Sequence, residues 1–328
     1  MKQIIAVCLS LFLLSCCTTG QTKKAVSVVQ YAEKSAPAFN ADSAYSFIEQ
    51  QAQFGPRVPN TKAHDACGDY LTAMLKRFGA TVIEQRAELK RYDGEKLAAC
   101  NIIGSYNPEK TERILLLSHW DSRSFADNDP NKANHHTPVL GVDDGASGVG
   151  VLLELARMIS IKKPDIGVDI LFVDAEDVGA PYFYKGEQSE DDWCLGTQYW
   201  ARNPHKPGYK ARFGILLDMV GAGNAVFYRD HFSVEYAASV ADKVWAKGQS
   251  IGYGQYFMNG QGGYITDDHV YVNRIAKIPC VDIIHYDPQS QQGFPSHWHT
   301  LDDTMKNIAK PALKAVGQTV AEVVYGEK

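Results

Sequence analysis

The sequence predicts a single α/β domain in which a mostly parallel central sheet carries helices on both faces. Several short runs of Ile, Leu and Val are continuously apolar, as is typical of strands buried on both sides. Stretches with helical spacing alternate with these runs along the chain. The chain has 328 residues, 45% of them hydrophobic and 22% charged, so it can bury a large core.

The helices and strands follow from these patterns in order. Apolar residues recur every three or four positions in four stretches, which predicts helices at 41–53, 62–78, 146–159 and about 307–325. Gly79 ends the second helix, since glycine commonly terminates helices. The continuous apolar runs predict buried strands at 113–118, 168–173, 213–219 and 280–285.

The N-terminal segment carries the pattern of an export signal. Lys2 precedes an apolar run at 4–14 that is too short to span a bilayer. The run ends in Leu13-Leu14-Ser15-Cys16, which resembles the lipobox of bacterial lipoproteins, in which the cysteine is lipidated. An ordinary signal peptide cleaved nearby is the alternative. We expect an exported protein that is anchored in the bacterial cell envelope, periplasm or outer membrane, through lipid on Cys16 only.

This interpretation divides the chain into three parts: a leader at 1–15, a tether at 16–38 and a catalytic domain at 39–328. The tether is rich in Ser, Thr, Lys and Gln. The formal net charge is −5 and no basic stretch stands out, which excludes nucleic acid as an expected partner. The seven cysteines include no Cys-x-x-Cys pair, so a thiolate zinc site is not expected.

Acidic residues and histidines gather where the predicted strands end. His119 and Asp121 follow the first strand, and Asp218 lies near the end of the third. Further clusters are Asp143-Asp144-Gly145, Asp174-Ala175-Glu176-Asp177 and Trp298-His299-Thr300. Ligands of open α/β sheets bind outside the carboxyl ends of the strands. Carboxylates can be held close together there if a cation or a proton is shared among them. Carboxylate and imidazole together suit zinc in an open catalytic site.

Several motifs resemble a known group of enzymes. Three segments look like the metal motifs of the MH-clan zinc aminopeptidases: Ser118-His119-Trp120-Asp121-Ser122, Gly141-Val142-Asp143-Asp144-Gly145 and Ala175-Glu176-Asp177. Others look like the animal-type glutaminyl cyclases of that clan: Leu216-Leu217-Asp218-Met219, Asp267-Asp268-His269 and Trp298-His299-Thr300-Leu301. The resemblance covers nearly all of the chain after the tether. It implies a zinc exopeptidase-like fold.

The resemblance also implies a ligand set and catalytic groups. One zinc per chain would be held by Asp144, Asp177 and His299. Glu176 matches the general base and acid. The acids Asp218 and Asp267 match a buried pair that shares a short hydrogen bond beside the reacting centre. One departure is that the usual Glu-Glu pair of the family is Glu176-Asp177 here.

The same resemblance implies a substrate pocket and an activity. Trp298, Phe294 and Ile265 match the apolar walls that hold a glutamine side chain. The segment 179–192 is longer than in the animal enzymes, and Trp193 is the candidate for the remaining wall tryptophan. The implied reaction converts the N-terminal glutamine of peptides and proteins to pyroglutamate with release of ammonia.

Two other functions are weighed against this one. The first is a zinc aminopeptidase on the same fold, which uses water as the nucleophile and two co-catalytic metals. His119 and Asp218 would then help to bind the second metal. The other is a peptide-binding lipoprotein without catalysis, for which ligands or the base should be missing. None of them is missing.

Overall fold

A six-stranded sheet forms the centre of the protein, whose computed structural model describes residues 36–328. In spatial order the strands are β1-β2-β4-β3-β5-β8. Their bounds are Thr81–Lys90 (β1), Lys96–Tyr106 (β2), Arg113–His119 (β3), Gly167–Val173 (β4), Phe213–Asp218 (β5) and Cys280–Ile284 (β8). Two short strands, Phe227–Arg229 (β6) and Phe257–Gln261 (β7), pair separately. The predicted leader, Cys16 and nearly all of the tether lie outside the described residues.

Four neighbouring strands of the sheet are parallel, as predicted. β3 pairs in parallel with β4 and with β5, and β5 pairs in parallel with β8. The remaining two strands form an antiparallel hairpin, β1 and β2, that joins the sheet through β4. The parallel strands therefore end at one edge of the sheet.

Helices cover both faces of this sheet, as predicted. Their bounds are Ala41–Gln53 (α1), Lys62–Arg77 (α2), Ala146–Ile161 (α3), Leu195–Arg202 (α4), His231–Gly248 (α5), Asp268–Tyr271 (α6) and Lys310–Gly326 (α7). α1 starts where the Asn40 side chain accepts hydrogen bonds from two free backbone N–H groups of the first turn. Within 36–328, no helix is both long enough and apolar enough to cross a membrane.

The side chains of β3 alternate between two hydrophobic cores. Ile114 and Leu116 belong to the larger core, which includes residues of α1, α3 and α7. Leu115 and Leu117 belong to a smaller core on the other face, together with Trp200 of α4. All of these side chains are fully buried. Burial on both faces explains why the strand is apolar at consecutive positions.

Candidate active site

The carboxyl ends of three parallel strands bring the predicted polar residues to one edge of the sheet. His119 ends β3, Glu176 and Asp177 follow β4, and Asp218 ends β5. Asp144 lies in the loop that leads into α3, and His299 lies in the loop before α7. The edge is the one at which open α/β sheets bind their ligands.

Asp144, Asp177 and His299 form a cluster that can hold a cation. One ligand atom of each residue lies within 4.8 Å of the others, and all three residues are buried. His299 Nε2 is 3.1 Å from Asp177 Oδ1 and 3.6 Å from Asp144 Oδ2. Neither buried carboxylate oxygen of Asp177 accepts a hydrogen bond. Because an unsatisfied buried carboxylate is costly, this donor set fits a zinc ion.

His299 is held from behind by a buried carboxylate. Its Nδ1 lies 3.4 Å from Asp127 Oδ1, and Arg123 donates two hydrogen bonds to the Asp127 carboxylate, at 3.1 and 2.8 Å. Burial would raise the pKa of Asp127, but the hydrogen bonds from His299 and Arg123 outweigh it and lower that pKa. A carboxylate on one imidazole nitrogen orients the other nitrogen toward a metal. Sequence reasoning missed Asp127 and Arg123, which no local pattern distinguishes from other loop residues.

The end of β4 is shaped so that two consecutive acids face the same cavity. Ala175 has a left-handed backbone with φ of 51°, which breaks the alternation of the strand. The Asp121 carboxylate then accepts hydrogen bonds from the backbone N–H groups of Glu176 and Asp177, both at 3.1 Å. Glu176 and Asp177 both line the cavity as a result. Sequence analysis noted Asp121 at a strand end and gave it no role.

A second buried carboxylate fixes the loop that carries Asp144. Asp303 accepts hydrogen bonds from the backbone N–H groups of Asp143 at 2.8 Å and Asp144 at 3.1 Å. Burial and the charges of Asp143 and Asp144 raise the pKa of Asp303 to about 7. Gly145 follows with φ of 91°, and a Cβ there would lie 2.9 Å from His119. Only glycine fits this turn without strain.

Glu176 sits beside a buried thiol. Cys194 Sγ donates to Glu176 Oε1 at 3.3 Å, and the Cys194 N–H donates to the Glu176 carbonyl at 2.9 Å. Burial raises the pKa of Glu176 well above its usual value; the charge of His119 opposes this, and those of Asp177 and Asp267 add to it. The four described cysteines, Cys67, Cys100, Cys194 and Cys280, are buried and free.

Asp218 and Asp267 both line the cavity, but their contacts differ from the implied pair. The Asp218 carboxylate accepts its hydrogen bond from His119 Nε2, at 3.2 Å. The side chain of Asp267 lies beside those of His269 and Asp282, with one oxygen or nitrogen atom of each within 4.8 Å of the others. Burial raises the pKa of Asp218 well above its usual value, and the charges of Asp144 and Asp267 contribute. Asp267 therefore acts on Asp218 through charge, and the shared short hydrogen bond stays a prediction.

His119 lies between two carboxylates that face the cavity. Its Nε2 is 3.0 Å from Asp144 Oδ1, besides its contact with Asp218. His119, Asp144 and Asp218 also have ligand atoms within 4.8 Å of one another. This is the geometry that a second cation would use, so the arrangement of side chains allows both metal stoichiometries.

The cavity next to these acids has a volume of about 680 Å³ and an apolar wall. Trp298, Phe294 and Ile265, which the resemblance implies as walls of the glutamine pocket, line it. The Trp298 ring stacks on His299 with centroids 3.8 Å apart, and the Phe294 ring is 4.5 Å from Trp298. Trp193 also lines the cavity, with its ring 6.0 Å from that of His299 and nearly parallel to it. The structure thus brings the ten predicted catalytic, pocket and metal-binding residues together around one cavity.

The protein is similar to enzymes of two activities. The model of Peptidase family M28 matches residues 101–324. Bovine glutaminyl-peptide cyclotransferase is 25% identical over 294 residues, which are 78% of this chain and 74% of that protein. The crystal structure of a Bacteroides thetaiotaomicron glutaminyl cyclase bound to N-acetylhistamine has a TM-score of 0.88 and 56% identity, and covers 89% of this chain and all of that one.

A second similar crystal structure is that of a leucine aminopeptidase precursor, also from Bacteroides thetaiotaomicron. It has a TM-score of 0.88 and 55% identity, and covers 90% of this chain and all of that one. Both activities are therefore represented among structures of equal similarity. The family match spans more than half of the sequence and includes Asp144, Asp177 and His299. The chain accordingly belongs to peptidase family M28, in which it is similar to the glutaminyl cyclases.

Proposed function

We propose that this protein is a zinc-dependent glutaminyl-peptide cyclotransferase, which converts N-terminal glutamine of peptides and proteins to pyroglutamate and releases ammonia. The observation that carries the proposal is an apolar wall placed directly against the cation cluster, with Trp298 stacked on His299. A neutral carboxamide side chain suits such a wall, whereas a charged side chain is disfavoured there. The similarity to animal and bacterial glutaminyl cyclases supports the same activity.

Asp144, Asp177 and His299 would hold one zinc ion per chain. The unsatisfied carboxylate oxygens of Asp177 support this ligand set. When bound, zinc would polarise the γ-carbonyl of the substrate as a Lewis acid. The short Asp177 takes the place of the family's usual glutamate, and the backbone bond from Asp177 to Asp121 positions it.

Glu176 would move the proton of the reaction. The neutral α-amine of the substrate attacks the γ-carboxamide carbon, one C–N bond forms and the C–N bond to ammonia breaks. Glu176 lines the cavity and can take the proton from the amine and deliver it to the departing ammonia. Asp218 and Asp267 lie beside this group, and a protonated buried acid there can donate a hydrogen bond to developing negative charge.

The second candidate is an aminopeptidase with two metals. The arrangement of His119, Asp144 and Asp218 favours it, because their ligand atoms lie within 4.8 Å of one another. One feature opposes it. Trp298 stacks on His299 and places an apolar ring directly against the ligands, where an aminopeptidase would hold its hydrolytic water.

Metal content and products distinguish the two activities. The purified protein is analysed for zinc and assayed with Gln-peptides and with peptides that begin with leucine, for ammonia and for free amino acids. If the protein is a cyclotransferase, we expect one zinc per chain, ammonia from Gln-peptides and no free amino acid. Two zinc ions together with free amino acids and no ammonia would establish the aminopeptidase instead. Absence of both products would favour a binding protein.

We further propose that the protein is exported and anchored by lipid on Cys16. The support is the sequence alone: Lys2, the apolar run and the lipobox-like Leu13-Leu14-Ser15-Cys16. Metabolic labelling with a fatty acid tests this in the wild type and in Cys16→Ser. Label in the wild type that is lost in the variant is expected, and an unlabelled wild-type protein in the soluble envelope fraction would contradict the anchor.

A further inference from the structure

The cavity is larger than one glutaminyl residue. Its volume is about 680 Å³. One water molecule takes up roughly 30 Å³ in the liquid, so the cavity has room for about 20 groups of that size. A glutaminyl residue has fewer than half as many non-hydrogen atoms. The apolar wall accounts for only part of the lining. The remaining space can therefore accept the residue that follows the glutamine.

Two tyrosines in the lining have no part in the reaction derived above. Tyr264 is 72% exposed, although it stands next to the buried wall residue Ile265. Its ring stacks on His231 with centroids 3.9 Å apart and an angle of 13° between the planes. The half-buried ring of Tyr286 packs edge-on against Tyr228 at 5.9 Å. Both tyrosines are thus held by neighbouring rings while they line the cavity.

A carboxylate in the segment 188–190 also lines the cavity. The exposed side chain of Glu190 makes no salt bridge or hydrogen bond within the described part of the chain. Its backbone is fixed, because the Tyr271 hydroxyl donates to the Glu190 carbonyl at 2.9 Å and the Asp192 carboxylate accepts from the Ser189 N–H at 2.8 Å. Glu190 therefore offers a negative charge from a fixed turn, and this charge also acts on Arg274.

The inner acids of the cavity have partners, because Asp144 and Asp218 contact His119 and Asp177 contacts His299. Over residues 36–328, the lining contains six acidic residues and neither lysine nor arginine: Asp144, Glu176, Asp177, Glu190, Asp218 and Asp267. The buried guanidinium of Arg123 packs against the Trp193 ring, donates to Asp127 and to the Gly179 carbonyl, and lies 3.7 Å from Asp177 Oδ1. Carboxylates and tyrosine faces are the groups that attract lysine and arginine side chains.

We propose that the outer part of this cavity is a subsite for lysine or arginine at the position after the N-terminal glutamine, an inference that rests on the proposed cyclotransferase function. Glu190 would pair with the cation, and the cation would contact the Tyr286 ring and the face of Tyr264 that His231 does not cover. An acidic residue at the same position would be repelled by Glu190. The enzyme would then select peptides by the charge of their second residue.

Three peptides that differ only at the second residue test the proposal: Gln-Lys, Gln-Ala and Gln-Glu followed by the same neutral sequence. The zinc-loaded enzyme is assayed at low salt for ammonia and for free amino acids. We expect kcat/KM to be about two- to fivefold higher for Lys than for Ala and lower by a similar factor for Glu, as for a partly exposed ion pair. High salt should reduce both differences.

Glu190→Gln should lower the ratio of kcat/KM for the Lys peptide to that for the Glu peptide. Glu187→Gln is the matched control, because Glu187 lies in the same exposed segment outside the lining, and it should keep the ratio. Equal kcat/KM for the three peptides, or equal effects of the two variants, would overturn the subsite. Free amino acids without ammonia would contradict the cyclotransferase, and the charge preference would then be measured on the amino acids released.

Discussion

The thiol of Cys194 donates the hydrogen bond that the side chain of Glu176 accepts, at 3.3 Å. Cys194 has a left-handed backbone with φ of 54° and immediately precedes α4. Its N–H also bonds to the Glu176 carbonyl. These two contacts from Cys194 therefore position the Glu176 carboxylate, to which we assign the proton transfer.

Cys194→Ala should lower kcat about fivefold while KM and zinc content stay unchanged. The lost hydrogen bond is worth about 1 kcal/mol, which corresponds to roughly fivefold in rate. Cys194→Ser keeps a donor and should restore most of kcat. Cys67→Ala is the control, since this cysteine is equally buried within α2. An unchanged kcat in Cys194→Ala would show that the contact is incidental.

Glu176→Gln should abolish turnover in an enzyme that still binds zinc. The amide keeps the shape of the side chain but cannot carry the proton, and general acid–base catalysis typically contributes about 10²–10⁴-fold. Ammonia release is measured in single turnover beside the zinc content of the same sample. Near-normal activity in the zinc-loaded variant would exclude Glu176 as the base.

The parallel strands could be predicted because β3, β4, β5 and β8 are buried at every position and most of their residues are apolar. The hairpin was missed. β1 alternates half-buried and exposed side chains with Glu84, Arg86 and Glu88 among them, so its stability depends on pairing with β2. α4 was missed because eight residues give too little periodicity to recognise.

In the site, residues that stand in local motifs could be predicted from the sequence, whereas contacts between distant segments could not. Asp144, Glu176, Asp177 and His299 stand in compact motifs, so a local pattern identifies them. Asp127 touches His299 across 172 positions of sequence, and no spacing indicates that contact. The hydrogen bond between Asp218 and His119 likewise depends on the tertiary structure. The two residues end β5 and β3, and they come within hydrogen-bonding distance only when these strands pair in the sheet.

Asp177→Ala and His299→Ala should each lose the zinc ion, because each removes one of three protein ligands. Asp127→Ala should keep the site but weaken zinc binding about 10–100-fold, since the carboxylate orients His299 from behind. Zinc is measured after dialysis against a graded series of chelator concentrations. Asp165→Ala, an exposed carboxylate outside the cavity, is the control. Full zinc in either ligand variant would show that the ligand set is different.

Asp169→Asn should destabilise the fold by about 3–5 kcal/mol at pH 7, because it leaves the buried guanidinium of Arg113 without its partner. Burial alone would raise the pKa of Asp169, but hydrogen bonds and charge from Arg113 lower it overall. The pair therefore stabilises the protein above the unfolded pKa of about 3.9, and this contribution is lost as pH falls through the lower folded pKa.

The difference in free energy of unfolding between wild type and Asp169→Asn should accordingly be largest near neutral pH and shrink below about pH 4. Urea unfolding at several pH values measures it. Asp242→Asn is the control, because Asp242 is 78% exposed in its pair with Arg229, and it should change stability by less than about 1 kcal/mol. A difference that does not vary with pH would contradict the charged pair.

Trp298→Ala should reduce kcat/KM for Gln-peptides at least roughly 30-fold, mainly through a higher KM. This factor corresponds to a loss of about 2 kcal/mol in transition-state stabilisation. The indole lines the cavity and packs on Phe294 as well as on His299, so its removal opens the apolar wall to water. Zinc content should persist, because Asp127 still holds His299. Trp298→Phe should recover part of the loss.

Tyr182→Ala is the control for Trp298→Ala. It removes an aromatic ring that lies outside the lining and is 60% exposed, so it should leave kcat/KM unchanged. Normal turnover by Trp298→Ala would place the glutamine pocket elsewhere.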